Sequence, residues 1–172
     1  MNRPIDELIH ETLNHLADPQ LESAAEVKNF YQDLMYAVWN YKCPGMLFEF
    51  YGKDIHVYRE NGNDLHGIFA VVRDVAELEA AFPDISVRID SIVVAENPKS
   101  GFQIWARNYF NGTHLGCSRY GAPTGKKLEE DRCMALSMLK LEKIEQRWKI
   151  IREETMFSDT MLCGILESHL IL

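Results

Sequence analysis

The chain changes its hydrophobic period near its middle. In the first half, apolar residues recur every three or four positions. Ile5, Leu8, Ile9, Leu13 and Leu16 do so behind Pro4, whose fixed φ suits a first helical turn, and Asp18-Pro19 stops the run. This spacing predicts a short amphipathic arm. A second stripe, Val27, Phe30, Tyr31, Leu34, Val38 and Tyr41, is wide enough to lie on a sheet. Ser23 and Glu26 precede it at the spacing of a capping box, and Lys42-Cys43-Pro44-Gly45 ends it. Gly67 to Phe82 carries a third stripe, Val71, Val75, Leu78 and Ala81 or Phe82, with Pro83 as its terminator.

Strands are signalled by alternation. Asp54–Glu60 alternates between the second and third helices and is followed by the turn signal Asn61-Gly62-Asn63. After Pro83 the period becomes two, predicting strands at Ser86–Glu96, Phe102–Tyr109, Asp131–Leu141 and Arg147–Phe157. Asp159 to Leu170 adds a last helical turn or two. Helices followed by long strands indicate an α+β domain with an antiparallel-rich sheet that carries its helices on one face. Strict alternation in the last strand puts Trp148 and Ile150 on one side and Ile151 and Glu153 on the other, so both faces need cover. A sheet that curls around its helices provides it, with glycines such as Gly112 and Gly116 allowing bulges. Curling also leaves a cavity between sheet and helices.

The length of 172 residues suits one domain, here 21–172, with 1–20 as the helical arm. A formal charge of −8 argues against a nucleic-acid groove and against binding to anionic membranes, both of which need clustered Lys and Arg. No stretch has the length and apolarity of a signal peptide or a membrane span, and Cys43, Cys117, Cys133 and Cys163 show no paired spacing. A cytoplasmic protein with reduced thiols is the expectation. His10-Glu11 and His15 superficially suggest a metal helix, but residues five apart stand about 140° around a helix. Gly121 to Lys127 falls one residue short of a phosphate loop and lacks its Ser or Thr. No metal and no cofactor is expected.

Four short stretches, in order, then carry a resemblance: AAFPDI at 80–85, GTHLG at 112–116, GAPTGK at 121–126 and WKIIREETMFSD at 148–159. Together they resemble the SnoaL-like polyketide cyclases of the nuclear transport factor 2-like superfamily, over residues 24–166. The resemblance implies a cone-shaped α+β barrel, with helices packed inside a strongly curved mixed or antiparallel sheet. Asn111-Gly112 alone suggests a tight hairpin turn. The resemblance instead implies that the strand runs on through His114, with Gly112 as a bulge and Pro123 and Gly125 making the reversal.

From the same resemblance comes the expected chemistry. Relatives use a carboxylate at the end of the last strand as general acid/base in aldol ring closure or isomerisation, and Asp159 holds that position. Its other role is to cap the helix that follows. His114 is its expected polar partner, either polarising a carbonyl or holding the bulged strand in shape. Arg107, Glu153 and Glu154 lie on strands the family brings together, as a charge pair lining the pocket or as a salt bridge on the outer face. Trp105, Tyr109 and Trp148 are candidate walls or core aromatics, and His66 is a further candidate contact. Thr155, EKIEQRW at 142–148 and LCGIL at 162–166 depart from the family pattern. The expected ligand is a small, apolar, oxygenated molecule, and the expected partner is a second copy paired through the sheet face. A non-catalytic binding or dimerisation module of the same fold is the alternative.

Overall fold

The computed structural model describes residues 4–60, 62–97, 100–129, 133–157 and 159–167, with only the backbone described at 159 and 160. Helix α1 (Ile5–Ala17) packs through Thr12 and Leu16 against α2 (Ala24–Met35), and His15 Nδ1 lies 3.3 Å from Asp33 Oδ2. The capping box at the start of α2 forms as its spacing requires: Glu26 N donates to Ser23 Oγ at 3.3 Å. The Glu26 carboxylate accepts in turn from Ser23 Oγ and Glu22 N. At its far end α2 widens into a π turn, Tyr36–Asn40, closed by Tyr41 N donating to Tyr36 O at 2.9 Å. The extra residue broadens the inward face, so Val38 and Trp39 are both buried although adjacent. Lys42 ends the turn at φ 57° and donates its ammonium to Trp39 O and Ile85 O.

Helix α3 (Met46–Phe50) leads into β1 (Tyr51–Arg59), β2 (Leu65–His66) and α4 (Ile68–Ala81). Strands β3 (Ser86–Asn97), β4 (Gly101–Thr113), β5 (Lys127–Leu128), β6 (Met134–Ile144) and β7 (Arg147–Thr155) follow, and α5 (Asp159–Leu166) ends the described chain. Among the described residues seven strands make one mixed sheet in the order β2-β1-β7-β6-β4-β3, with β5 on β4. Only the β1–β7 pairing is parallel. The sheet curves strongly around α2 and α4 to make a cone. Its inner face is apolar: Phe102, Ile104 and Phe110 on β4 and Ala135, Leu139 and Leu141 on β6 are each at most 5% exposed. Each fully buried large side chain of this kind contributes roughly 1.5–3 kcal/mol of transfer free energy.

Two bulges shape the sheet. Asp90 is an extra residue in β3 between the pairs Ile89↔Asn108 and Ser91↔Arg107, and Ile151 is an extra residue in β7 between Ile150↔Leu141 and Arg152↔Lys140. The second changes the strand's phase: Ile150 and Glu153 face inward and Arg152 and Glu154 outward, where strict alternation had set Ile150 and Glu153 on opposite sides. Gly112 is not a bulge. Strand β4 keeps its register through Gly112↔Leu128 and Thr113↔Lys127. What Gly112 supplies is room, because a Cβ there would stand 3.2 Å from Ile85 Cα and 3.3 Å from Phe82 Cβ. The reversal is not at Pro123 and Gly125 but at Ser118–Gly121, whose backbone groups bond each other at 3.1 and 2.9 Å. Gly125, at φ 68°, lies on the returning chain and donates its N–H to His114 O, because the ladder to β4 already begins there.

Candidate active site

A cavity of about 80 Å³ lies inside the cone. Apolar side chains from the helices, Leu34, Val38, Val71, Val75 and Leu78, form one wall, and Leu139, Phe110 and Phe157 form part of the other. Into this apolar lining the sheet and α4 insert a small set of polar groups: Glu153, Tyr51, Arg59, Asn108, Ser137 and Asp74. Their positions follow from local periodicity. Asn108 takes an inner place in the β4 alternation Phe102, Ile104, Ala106, Asn108, Phe110, and Ser137 takes one in Ala135, Ser137, Leu139. Asp74 stands in the buried stripe of α4 with Val71, Val75 and Leu78. A polar residue where the period calls for an apolar one is the sequence signal that would have found all three.

Glu153 is the central titratable group. Tyr51 Oη donates to its Oε2 at 2.8 Å. Desolvation within the cone raises its pKa above the ordinary glutamate value. The Tyr51 hydrogen bond and the nearby Arg59 charge oppose that rise, and Asp74 adds to it. Burial also raises the pKa values of Tyr51 and Tyr31, so both phenols stay protonated, Tyr51 donating to Glu153 and Tyr31 accepting from Asn108. Deeper in the wall Arg59 pairs with Asp74, each side chain 7% exposed, and Arg119 Nη2 reaches the other Asp74 oxygen at 2.8 Å. Arg119 Nη1 extends the chain to Glu77 Oε2 at 2.7 Å. Asn108 Nδ2 donates to Tyr31 Oη at 2.8 Å, and the Ser137 and Thr155 hydroxyls meet at 3.1 Å. Such a site sets a carboxyl of raised pKa, Glu153, in an apolar chamber among hydrogen-bonding groups.

Of the residues singled out from the sequence, Glu153 lines the cavity and the others are placed elsewhere. Asp159 opens α5, and its side chain lies outside the described residues. His114 is fully buried just past β4, away from the cavity lining. Its Nδ1 meets Thr124 Oγ1 at 3.2 Å and accepts from Thr124 N at 3.4 Å, its ring packs on Phe82, and its backbone bonds Lys126 O and Gly125 N. Burial lowers its pKa and favours the neutral ring. On the outer face stand Trp105, Tyr109 with the Arg88 guanidinium over its ring, Arg107 paired with Asp90, and Glu154 paired with Arg152 at 2.8 Å. Trp148 rests half-buried against Phe102, 5.6 Å between ring centroids. His66, exposed on β2, packs against the His56 ring. Among the described residues no three His, Cys, Asp or Glu side chains converge as a metal site would require.

A family model described as SnoaL-like polyketide cyclase matches residues 5–159, so the match begins in α1 rather than after it. No curated protein matches the chain. Among solved structures, AclR from Streptomyces galilaeus is 21% identical with a TM-score of 0.62, covering 84% of this chain and 98% of that one. Aln2 from a Streptomyces species is 17% identical with a TM-score of 0.60, covering 84% and 99%. Nuclear transport factor 2 from Cryptosporidium parvum is 12% identical with a TM-score of 0.55, covering 76% and 90%. At these identities the likeness is one of fold.

Proposed function

From the premise that the chain belongs to the SnoaL-like polyketide cyclase family, we propose that it performs cofactor-independent acid/base chemistry on a small, oxygenated, largely apolar molecule held in the cone. Ring closure, isomerisation and hydration are the reaction types that fit. The observation that carries this reading is Glu153: a carboxyl in an apolar cavity, hydrogen-bonded by Tyr51, with its pKa raised by desolvation. A raised pKa brings a carboxylate closer to the range in which it takes a proton from carbon next to a carbonyl and returns it elsewhere. Tyr51, fixed on Oε2, orients the carboxyl, and the apolar walls strengthen every polar contact the reacting oxygen makes.

The test is α-proton exchange. With small ketones in deuterated water, the protein should catalyse exchange at the carbon next to the carbonyl, and Glu153→Gln should lower that rate by about 10²–10⁴-fold with folding intact. Unchanged exchange in that variant rejects Glu153 as the base. Asp159→Asn is the parallel variant: loss there, with Glu153→Gln active, assigns the role to Asp159. Ligand binding with no exchange in the wild-type chain would mark a non-catalytic binding module.

A homodimer through the outer sheet face belongs to the same proposal. Val93, Trp105, Leu136 and Met156 are 60%, 37%, 39% and 58% exposed and border one groove on that face, an apolar concentration that suits a second copy. Cytoplasmic residence is likewise proposed. In its support, the four cysteines are free thiols, as a reducing compartment keeps them.

A further inference from the structure

Two polar atoms in the cavity residues are buried without a hydrogen-bond partner among the described residues: Nε of Arg59 and Oδ1 of Asn108. Each is the unused end of a group whose other end is committed. Arg59 Nη2 is held by Asp74 in a pair 7% exposed on both sides, which leaves Nε–H as a charge-balanced donor. Asn108, 1% exposed, gives Nδ2 to Tyr31 Oη and keeps Oδ1 as an acceptor. Leaving a buried donor or acceptor unpaired costs the group its hydration with nothing in return. A native fold carries few such groups. Leu or Val at position 108 would continue the inner apolar run of β4 without that cost, and among the described residues nothing offsets the unpaired Oδ1. A ligand that donates to it would.

The chemistry of these two unpaired atoms defines that ligand. Asp74 already answers the Arg59 charge, and Glu153 stands close by, so an anionic ligand would meet two carboxyl groups and only a neutralised cation. A neutral carbonyl oxygen suits Nε–H, and a hydroxyl suits Asn108 Oδ1. Resting on the reading of this cavity as the ligand site, we propose that it takes the head of a neutral hydroxy ketone. The carbonyl oxygen accepts from Arg59 Nε, the hydroxyl donates to Asn108 Oδ1, and the carbon next to the carbonyl faces Glu153. The cavity of about 80 Å³ is about half the size of one that holds benzene, so the enclosed head has only a few heavy atoms. Arg59 and Asn108 are thereby specificity-determining residues.

Matched probes test this by NMR titration of the full chain: 4-hydroxybutan-2-one and hydroxyacetone, against butan-2-one, which lacks the hydroxyl, and butan-1-ol, which lacks the carbonyl. At least one hydroxy ketone should bind about tenfold or more tightly than either control. Arg59→Lys keeps a cation for Asp74 but removes the Nε donor. It should bring the hydroxy ketone down to the affinity of butan-1-ol and leave butan-1-ol itself unchanged. Asn108→Leu should bring it down to that of butan-2-one, with a thermal melt checking its fold. Equal binding of all probes, no binding of either hydroxy ketone, or an undiminished preference in Arg59→Lys overturns the proposal. Exchange catalysed without this preference defeats the ligand assignment alone, whereas the preference without Glu153-dependent exchange defeats the acid/base reading alone.

Discussion

Glu153 and Glu154 are neighbours in the chain and stand on opposite faces of the sheet. Tyr51 holds the first from inside the cone at 2.8 Å, and Arg152 holds the second outside at 2.8 Å. Alternation alone separates two neighbours; the extra residue at Ile151 decides which of them enters the cone, because a one-residue change of phase moves every later side chain of the strand to the other face. Chemically similar residues therefore have separate expected effects. Glu153→Gln should lower proton exchange by about 10²–10⁴-fold, whereas Glu154→Gln, which breaks only an exposed pair, should leave both stability and exchange nearly unchanged. Steady-state exchange rates and a urea titration of both variants check this. Equal loss in the two would contradict the facing assigned to them.

Glu153 also makes a stability statement. Its carboxyl is raised in the folded chain, chiefly by desolvation, and in the unfolded chain titrates near the ordinary value of about 4.3. Between those two values the folded state holds more protons than the unfolded state. Its contribution is therefore fully present below about pH 4.3 and is lost as pH rises through the folded pKa. Melting temperatures of wild type and Glu153→Gln should accordingly diverge with rising pH, to the disadvantage of wild type. A difference independent of pH would show that Glu153 is not desolvated. Tyr51→Phe removes a donor that favours the charged form, so the rising limb of the exchange activity should move to higher pH.

Asp74 serves two arginines, Arg59 and Arg119, and is itself 7% exposed. Asp74→Asn leaves the buried Arg59 without its counter-charge and Arg119 with Glu77 alone, and should cost about 3–5 kcal/mol in a denaturant titration. Arg119→Met should cost clearly less, since Arg59 still answers Asp74. Equal costs would mean that the Arg59 pair contributes nothing by itself.

His114 holds the 114–126 loop closed through Thr124 and through its own backbone bonds to Lys126 and Gly125. His114→Leu strands the Thr124 amide and should lower stability by about 1–3 kcal/mol, while α-proton exchange persists in the folded fraction. Abolished exchange with unchanged stability would instead give His114 a place in the chemistry.

On the outer face, Leu136→Glu sets a charge into the exposed apolar groove shared with Val93, Trp105 and Met156. If that face pairs two copies, light scattering should show the mass fall from dimer to monomer with the fold retained. A mass unaffected by the substitution removes this face as the interface.

The elements themselves were legible locally. The stripe of α2, the Ser23–Glu26 cap, the stop at Pro83 and the alternating strands each depend on residues within a few positions of one another, so their periods appear in the sequence. The order of four short stretches was enough to indicate the family and its cone. Which of the candidate polar groups meet in the cone was not legible. Alternation read along β7 assumes an unbroken strand, and the extra residue at Ile151 exists only because β6 pairs around it. Similarly, the π turn that brings Val38 and Trp39 inward together adds a residue to a helix whose stripe reads as continuous. The Arg59–Asp74–Arg119 chain joins a strand end, a helix and a loop that only folding brings into contact. By itself the sequence determined which segments are helix or strand and that a polar residue interrupts several apolar runs, because these are properties of near neighbours. Only the tertiary structure decided which carboxyl enters the cone and which donors wait for it there, because the facing of a side chain beyond a bulge is set by the register of distant strands.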